Sequence, residues 1–321
     1  MPGRTRVCGV NKVNNDIELS IVCPFYNEQD NVAEFFKRLF PVLESLSCTY
    51  EIVCIDDGST DETLKSLLEV KQTEPVLKII SLSRNFGKES ALSAGLDFSV
   101  GNRIIPIDAD LQDPPEVIPE LVEEANKGFD VVLAKRIDRD SDTVSKRFSA
   151  GLFYKFHNMI SRTKLPENCG DFRLINRSVA NAIASLPENQ RFMKGVFTWV
   201  GFKVSSIDYT REKRSGGVGK FGAWKLWNLA LDGITSFSTA PLRVWSYIGL
   251  LIAGLTFTYG SIILIKTLIY GVDVPGYASL LLSILFLGGI QLISIGILGE
   301  YIGRVYLEVK SRPKYIVASE N

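Results

Sequence analysis

Two carboxylates one residue apart, Asp108 and Asp110, with Gln112 and Asp113 close behind, form the most chemically pointed cluster in this sequence. Along an extended chain end, alternate side chains aim the same way, so both acids can address one ligand. Carboxylate oxygens are hard donors that suit magnesium or manganese. Such ions are commonly held by one or two carboxylates together with substrate phosphates. A divalent ion at this place would act as a Lewis acid on the charge building at a departing diphosphate. The chemistry implied is group transfer from a nucleotide-activated donor. An Asp-x-Asp pair is also a common solvated turn, so its meaning depends on where the chain puts it.

A diphosphate donor calls for cations. Arg84, Lys88, Arg191, Arg211, Arg214 and Lys220 are candidates, because planar guanidinium groups bind phosphate oxygens in pairs. Each of them taken singly also reads as a surface charge. Two further polar clusters, Pro24–Glu28 and Asp56–Ser59, accompany the first.

The elements that must position these residues are legible from Leu19 to about Arg136. Short apolar runs at Leu19–Pro24, Glu51–Asp56, Lys78–Leu82, Arg103–Asp108 and Asp130–Ala134 read as strands. Helical patterns at Asn31–Leu46, Thr60–Val70, Lys88–Ser99 and Pro115–Asn126 lie between them. This alternation predicts βαβ units and a mostly parallel sheet. Ser59 or Thr60, followed by Asp61 and Glu62, predicts the cap and acidic first turn of the second helix. In such a sheet ligands bind beyond the carboxyl ends of the strands. All three polar clusters fall at such ends, so they are expected to converge on one crevice.

The charge balance hides a segregation. With 36 basic and 36 acidic residues the chain has no net charge, which argues against a nucleic-acid partner. Yet Val244 to Gly299 carries only Lys266 and Asp273. Charge-free runs of 22 residues (Val244–Ile265) and 26 residues (Val274–Gly299) exceed the roughly 20 needed to cross about 30 Å of hydrocarbon. Two transmembrane helices are expected, a buried hairpin being the alternative. Arg211, Lys213, Arg214, Lys220, Lys225 and Arg243 precede the pair, Arg304, Lys310, Arg312 and Lys314 follow it, and only Lys266 lies between. By the positive-inside tendency both flanks are cytosolic. No apolar leader segment precedes Ile17, so the large domain is expected to stay in the cytosol of a multi-pass inner-membrane protein.

Lys146–Ile160 reads as an interfacial helix or an ordinary amphipathic one, and Phe221–Phe237, with Trp224 and Trp227, as a juxtamembrane helix at the headgroup level. Five unpaired-looking cysteines, Cys8, Cys23, Cys48, Cys54 and Cys169, and a single histidine, His157, argue against disulfides and zinc. The expected organisation is a tail (1–16), a catalytic domain (17–210), a basic loop and juxtamembrane helix (211–242), a membrane hairpin (243–303) and a second tail (304–321). Gly288, Gly289, Gly296 and Gly299 would allow close helix approach in a homo-oligomer.

Six segments together resemble one family: Val22–Glu28, Asp56–Ser59, Ser83–Lys88, Asp108–Pro114, Gly170–Leu174 and Arg211–Lys220. They are similar in order and spacing to family 2 glycosyltransferases that load polyisoprenyl phosphates. The nearest resemblance is to the undecaprenyl-phosphate (bactoprenol) glucosyltransferase branch, with dolichyl-phosphate mannose synthases as relations. The resemblance implies a GT-A, Rossmann-like α/β fold and a metal-dependent, inverting transfer of a hexose to a polyprenyl phosphate. UDP-glucose is the implied donor, ahead of GDP-mannose or an amino-arabinose derivative. It further implies Pro24, Tyr26, Glu28, Asp57, Arg84, Lys88, Asp108 and Gln112 around the donor and Asp108 and Asp110 on Mg2+ or Mn2+. Asp110, Asp171, Arg191 and Arg211 would serve catalysis, with Arg211, Arg214 and Lys220 on the acceptor phosphate.

The residues allow plainer roles too: Pro24 ends a strand, Tyr26 packs, and Asp57 caps a helix. Asp171 is expected to orient Arg173, the sugar or the acceptor before acting as a base. A phosphomonoester, with a second pKa near 6, arrives at the site largely ionised. Competing readings are a nucleotide sensor without turnover and a polysaccharide synthase. The latter is disfavoured because Gln190-Arg191-Phe192-Met193 departs from its usual motif.

Overall fold

The central strands of this chain, such as Leu19–Phe25 and Tyr50–Asp56, are nearly continuous apolar runs because both of their faces are covered. The structure, a computed structural model, describes residues 17–137, 169–188, 193–212, 240–270 and 276–321. The expected helices at Lys146–Ile160 and Phe221–Phe237, and the 1–16 tail, lie outside these residues.

The first half alternates as expected: β1 (Leu19–Phe25), α1 (Gln29–Ser45), β2 (Tyr50–Asp56), α2 (Thr63–Thr73), β3 (Leu77–Leu82), α3 (Lys88–Phe98), β4 (Arg103–Pro106), a 3-10 turn (Pro115–Val117) and α4 (Ile118–Asn126). Then come β5 (Val131–Arg136), β6 (Cys169–Asn176), α5 (Arg177–Ala184), α6 (Met193–Trp199) and β7 (Val204–Tyr209). Two long helices, α7 (Ala240–Tyr270) and α8 (Tyr277–Val309), precede a last strand, β8 (Val317–Glu320).

The strands form one sheet in the order β7-β5-β6-β4-β1-β2-β3-β8. β1 pairs in parallel with both β2 and β4, β2 with β3, and β5 with β7. The expected mostly parallel sheet therefore stands, with a departure: β6 runs antiparallel to β4 and β5, and β8 antiparallel to β3. Strand order reverses at β1, between β4 and β2, which is where an open α/β sheet leaves its crevice.

Side chains alternate across β1. Ile21, Cys23 and Phe25 pack with Phe35, Phe36 and Leu39 of α1, while Val22 joins Val53, Ile55, Ala91 and Leu92 on the α3 side. Cys23, Cys54 and Cys169 are buried among these residues.

Several boundaries differ from expectation. β4 stops at Pro106, leaving Asp108 beyond its end, although the Ile107 amide still donates to the Val22 carbonyl at 2.9 Å. β5 runs on to Arg136 because it pairs with β7 along Arg136–Tyr209. Pro115 and Pro119 split the fourth helix into a 3-10 turn and α4, since proline has no amide to donate within a helix.

The two long helices have 31 and 33 residues, about 46 and 50 Å at 1.5 Å per residue. Large apolar side chains such as Leu251, Phe257, Leu268, Leu292 and Ile295 are exposed along them. Among the described residues one stretch, Phe286–Val309, is long and apolar enough to cross a membrane.

Beyond α8 the chain returns to the sheet. The amide and carbonyl of Asn321 exchange hydrogen bonds with Ile79 at 2.8 Å, and Ser83 donates to the Ile316 carbonyl. Tyr315 donates to Asp97 at 2.9 Å and its ring tilts against Phe98. Residues expected as a trailing tail are thus part of the domain.

Candidate functional site

The floor of the crevice is made where the loops after β1 and β2 interlock. Asn27 sits in the left-handed region at φ 52°, which asparagine tolerates better than most residues. Its side-chain carbonyl accepts the Thr60 amide at 2.8 Å, and its own amide donates to the Ser59 hydroxyl at 3.1 Å. Glu28 donates its amide to the Thr63 hydroxyl at 2.9 Å. Ser59 and Thr60, expected to cap α2, are spent on this cross-loop contact instead. The helix accordingly starts at Thr63, whose amide is accepted by Asp61 at 3.0 Å.

Gly58 is where glycine is required. Its φ is +65°, and a Cβ there would lie 2.4 Å from the Arg84 carbonyl carbon. That approach lets buried Asp57 reach the next loop: its two oxygens accept the amides of Phe86 and Gly87 at 2.7 and 2.9 Å. Burial raises the Asp57 pKa above the usual carboxylate value, with the two amides pulling the other way. Asp57 therefore latches the Ser83–Lys88 loop, which carries two of the expected donor residues. In that loop Arg84 is exposed, with its guanidinium 4.3 Å from the Phe86 ring centroid.

Lys88, the first residue of α3, closes the crevice across the sheet. Its ammonium lies 2.7 Å from Asp108 Oδ2 and 2.8 Å from Asp171 Oδ2. Burial would lower its pKa, but the two carboxylates outweigh that and raise it above the ordinary lysine value. Asp171 comes from β6, the antiparallel strand beside β4, so the inserted strand brings it to Asp108. Arg173, two residues on and buried, donates to the Gly170 carbonyl and stacks over Phe197 at 4.2 Å.

Beyond Asp108 the acidic turn is strained: buried Leu111 takes φ 57°, unusual for a branched residue. The Asp110 carboxylate accepts the Gln112 amide at 3.2 Å. Asp113, nearly fully buried, accepts the Tyr209 hydroxyl and faces two guanidinium groups, Arg211 at 3.4 Å and Arg136 at 3.9 Å. Arg136 also donates to Tyr209 at 3.2 Å. Burial and the neighbouring Asp113 push the Tyr209 phenol well above its usual pKa. Two cations thus share one buried carboxylate, which leaves a net positive lobe beside the acidic turn.

Residues 20–184 match Glycosyl transferase family 2 and residues 240–305 match the GtrB C-terminal hairpin. The chain belongs to glycosyl transferase family 2. A relative named uncharacterized glycosyltransferase sll0501, from Synechocystis, is 56% identical over 302 residues, covering 94% of this chain and 95% of that protein. The SfII prophage-derived bactoprenol glucosyl transferase of Shigella flexneri is 53% identical over 301 residues, covering 94% and 97%. The prophage bactoprenol glucosyl transferase homolog of Escherichia coli K12 is 53% identical over 301 residues, covering 94% and 98%.

In this glycosyltransferase the expected residues fall into three groups. Asp108, Asp171 and Lys88 meet directly, and Asp57 supports the loop that bears Lys88 and Arg84. Pro24 sits near the end of β1, opposite Ile55, and Tyr26 is 38% exposed just beyond it. Glu28 precedes α1 and accepts the Asn31 side chain at 2.5 Å. Arg191, Arg214 and Lys220 lie outside the described residues.

The sequence reading did not single out Arg136, Asp113 and Tyr209 as one cluster. The rule that strand ends line the crevice would have flagged Arg136 had β5 been read two residues longer. The acidic turn offers chiefly hard oxygen donors, the carboxylates of Asp108 and Asp110, a donor set that suits Mg2+ or Mn2+. Among the described residues no three His, Cys, Asp or Glu side chains form a cage of their own. An ion at Asp108 and Asp110 would therefore need substrate oxygens to complete its shell, as magnesium commonly does.

Proposed function

We propose that this glycosyltransferase moves a glucosyl group from UDP-glucose to the phosphate of a membrane polyprenyl phosphate such as undecaprenyl phosphate, with inversion. The observation that carries the reading is the pairing of two charged lobes on either side of the turn that follows β4. Lys88 with Asp108 and Asp171 forms one, and Arg136 and Arg211 about Asp113 form the other. The first suits a nucleotide diphosphate and its sugar, the second an acceptor phosphate. The relatives named for bactoprenol glucosyl transfer support the sugar and the lipid.

In the mechanism, an ionised oxygen of the lipid phosphate attacks the anomeric carbon from the face opposite the diphosphate. The carbon–oxygen bond to UDP breaks as the new one forms. The phosphate needs little help from a base, so Asp171 acts to orient, held by Lys88. Arg136 and Arg211 bind the attacking phosphate and fix its approach. Asp108 and Asp110 would hold Mg2+ or Mn2+, which when bound supplies Lewis-acid stabilisation of the leaving diphosphate. Lys88 adds a fixed positive charge beside them.

A multi-pass membrane placement, with the catalytic domain in the cytosol, fits the chain's connectivity. β8 is hydrogen-bonded into the same sheet as β1–β7, so residues 17–212 and 317–320 share one side of any membrane. The crossings between them must then be even in number. If α8 crosses at Phe286–Val309, another crossing must precede it, and our candidate is the 22-residue charge-free run Val244–Ile265 of α7, which rests on sequence alone.

The test is transfer itself. Purified protein with undecaprenyl phosphate and a panel of radiolabelled nucleotide sugars, with and without a chelator, should label the lipid from UDP-glucose and lose the activity without divalent ions. Labelling from another donor would overturn the sugar assignment, and transfer that survives complete metal removal would overturn the role of Asp108 and Asp110.

A further inference from the structure

Arg38 lies on α1, outside the crevice, yet it binds the two segments that frame the acceptor lobe. Its Nε and Nη2 donate to Glu116 at 2.9 and 2.7 Å, and its Nη1 and Nη2 donate to Glu212, both at 2.9 Å. The guanidinium fork thus grips two carboxylates bidentately, a geometry lysine cannot reproduce. Glu116 belongs to the 3-10 turn that follows Asp108–Asp113, and Glu212 adjoins Arg211. The Arg38 side chain is only 21% exposed, while its two partners are about half exposed.

Residues 211–212 meet the acidic turn by two other links. The Glu212 amide donates to the Gln112 carbonyl at 3.0 Å, and Arg211 faces Asp113. The Arg38 fork adds a third link and anchors both segments to α1, Glu212 across a sequence separation of 174 residues and Glu116 across 78.

We propose that Arg38 is a positioning residue for the acceptor: through Glu212 it holds the neighbouring Arg211 in place beside Asp113. This rests on the reading of Arg211 as a phosphate ligand. Kinetics in detergent, with UDP-glucose and undecaprenyl phosphate varied separately, would test it in Arg38→Ala, Arg38→Lys, Glu212→Gln and Arg38→Ala/Glu212→Gln, with Arg211→Ala in parallel.

Arg38→Ala should raise KM for the lipid roughly three- to tenfold while KM for the donor stays within about twofold. Arg38→Lys should stay near the alanine value, and the double variant should be no worse than its more affected single. An Arg38→Ala protein that loses thermal stability but keeps its lipid KM, or whose two KM values rise together, would overturn the assignment. If Arg211→Ala raises the lipid KM and Arg38→Ala does not, the positioning role alone fails. If neither does, the phosphate reading of Arg211 fails and the role of Arg38 falls with it.

Discussion

The site is a set of contacts between side chains far apart in sequence, and that decides which of them sequence reasoning could find. Asp108, Asp171 and Lys88 each stood out by type and motif, but the salt bridges that join them required the antiparallel strand β6 to lie beside β4. Tyr209 and Asp113 are 96 residues apart, and Tyr209 and Arg136 are 73; no local pattern announces such partners. Removing the ammonium at Lys88 leaves the Asp108 and Asp171 carboxylates without the countercharge they share. Lys88→Met is therefore expected to lower kcat by about 10²-fold or more, the usual loss when one preorganised charge donor is removed. Steady-state rates at saturating substrates would show it, and an unchanged kcat would remove Lys88 from the reaction. Gly58 is constrained twice, by its φ of +65° and by the backbone of Arg84 2.4 Å from any Cβ. Gly58→Ala should cost about 2–3 kcal/mol and weaken donor binding, because the latch from Asp57 to the Phe86 and Gly87 amides must shift. Thermal midpoints with and without UDP would measure both effects.

Elements were legible where burial on both faces made them apolar, and illegible where something else defined them. β1 to β4 announce themselves by composition, whereas β8, Val317–Glu320, is four residues with alternating exposure and exists because β3 offers an unpaired edge. The start of α2 was misplaced for a related reason: Ser59 and Thr60 bond to the Asn27 loop and leave the helix to Thr63. Arg38 links α1 to the 3-10 turn and to the end of the β7 segment, and this link has a pH signature. Burial tends to raise the Glu116 pKa, but the Arg38 hydrogen bonds outweigh it and hold it below the ordinary 4.5. A carboxylate whose folded pKa is depressed contributes stability that is present above its unfolded pKa and lost as pH falls through the folded one. The stability gap between wild type and Arg38→Ala should therefore be steady at neutral pH and shrink as pH falls below about 4.5. At this exposure the gap itself is about 1 kcal/mol or less. Denaturation midpoints across that range would reveal the trend, and a gap that widens in acid would contradict it.

At the scale of the whole molecule the chain leaves the sheet after β7 and comes back to it at β8, so the helical hairpin is held at both ends by one domain. Composition had separated a charged domain from an apolar one, but it could not reveal that the last eight residues rejoin the first, because their hold is made of backbone hydrogen bonds and a few contacts. These are the Asn321 exchange with Ile79, the Ser83 bond to the Ile316 carbonyl, the Tyr315 bond to Asp97, the Lys78–Glu320 pair at 2.9 Å, and the Lys314 bond to the Leu186 carbonyl. A hairpin tied at one end can swing and tilt, whereas one tied at both is restricted, and on the membrane placement proposed above that would limit how the site meets a lipid surface. Ending the chain after Arg312 removes that second tie and every one of these contacts, yet touches no residue of either charged lobe. Such a truncated protein should still bind UDP with an affinity near that of the full chain, because the loops after β1, β2 and β4 are intact. It should transfer glucose to a short, water-soluble prenyl phosphate at a rate within a few-fold of the full chain, and to undecaprenyl phosphate in vesicles roughly tenfold more slowly, since misplacement of a reacting group by about 1 Å already costs up to 10²-fold. The ratio of the two rates is the quantity to measure, because a general loss of stability from exposing the edge of β3 would depress both alike. Equal losses on both acceptors would mean that β8 serves the sheet alone, and an unchanged ratio with full activity would mean that the hairpin needs no second tie to present the lipid.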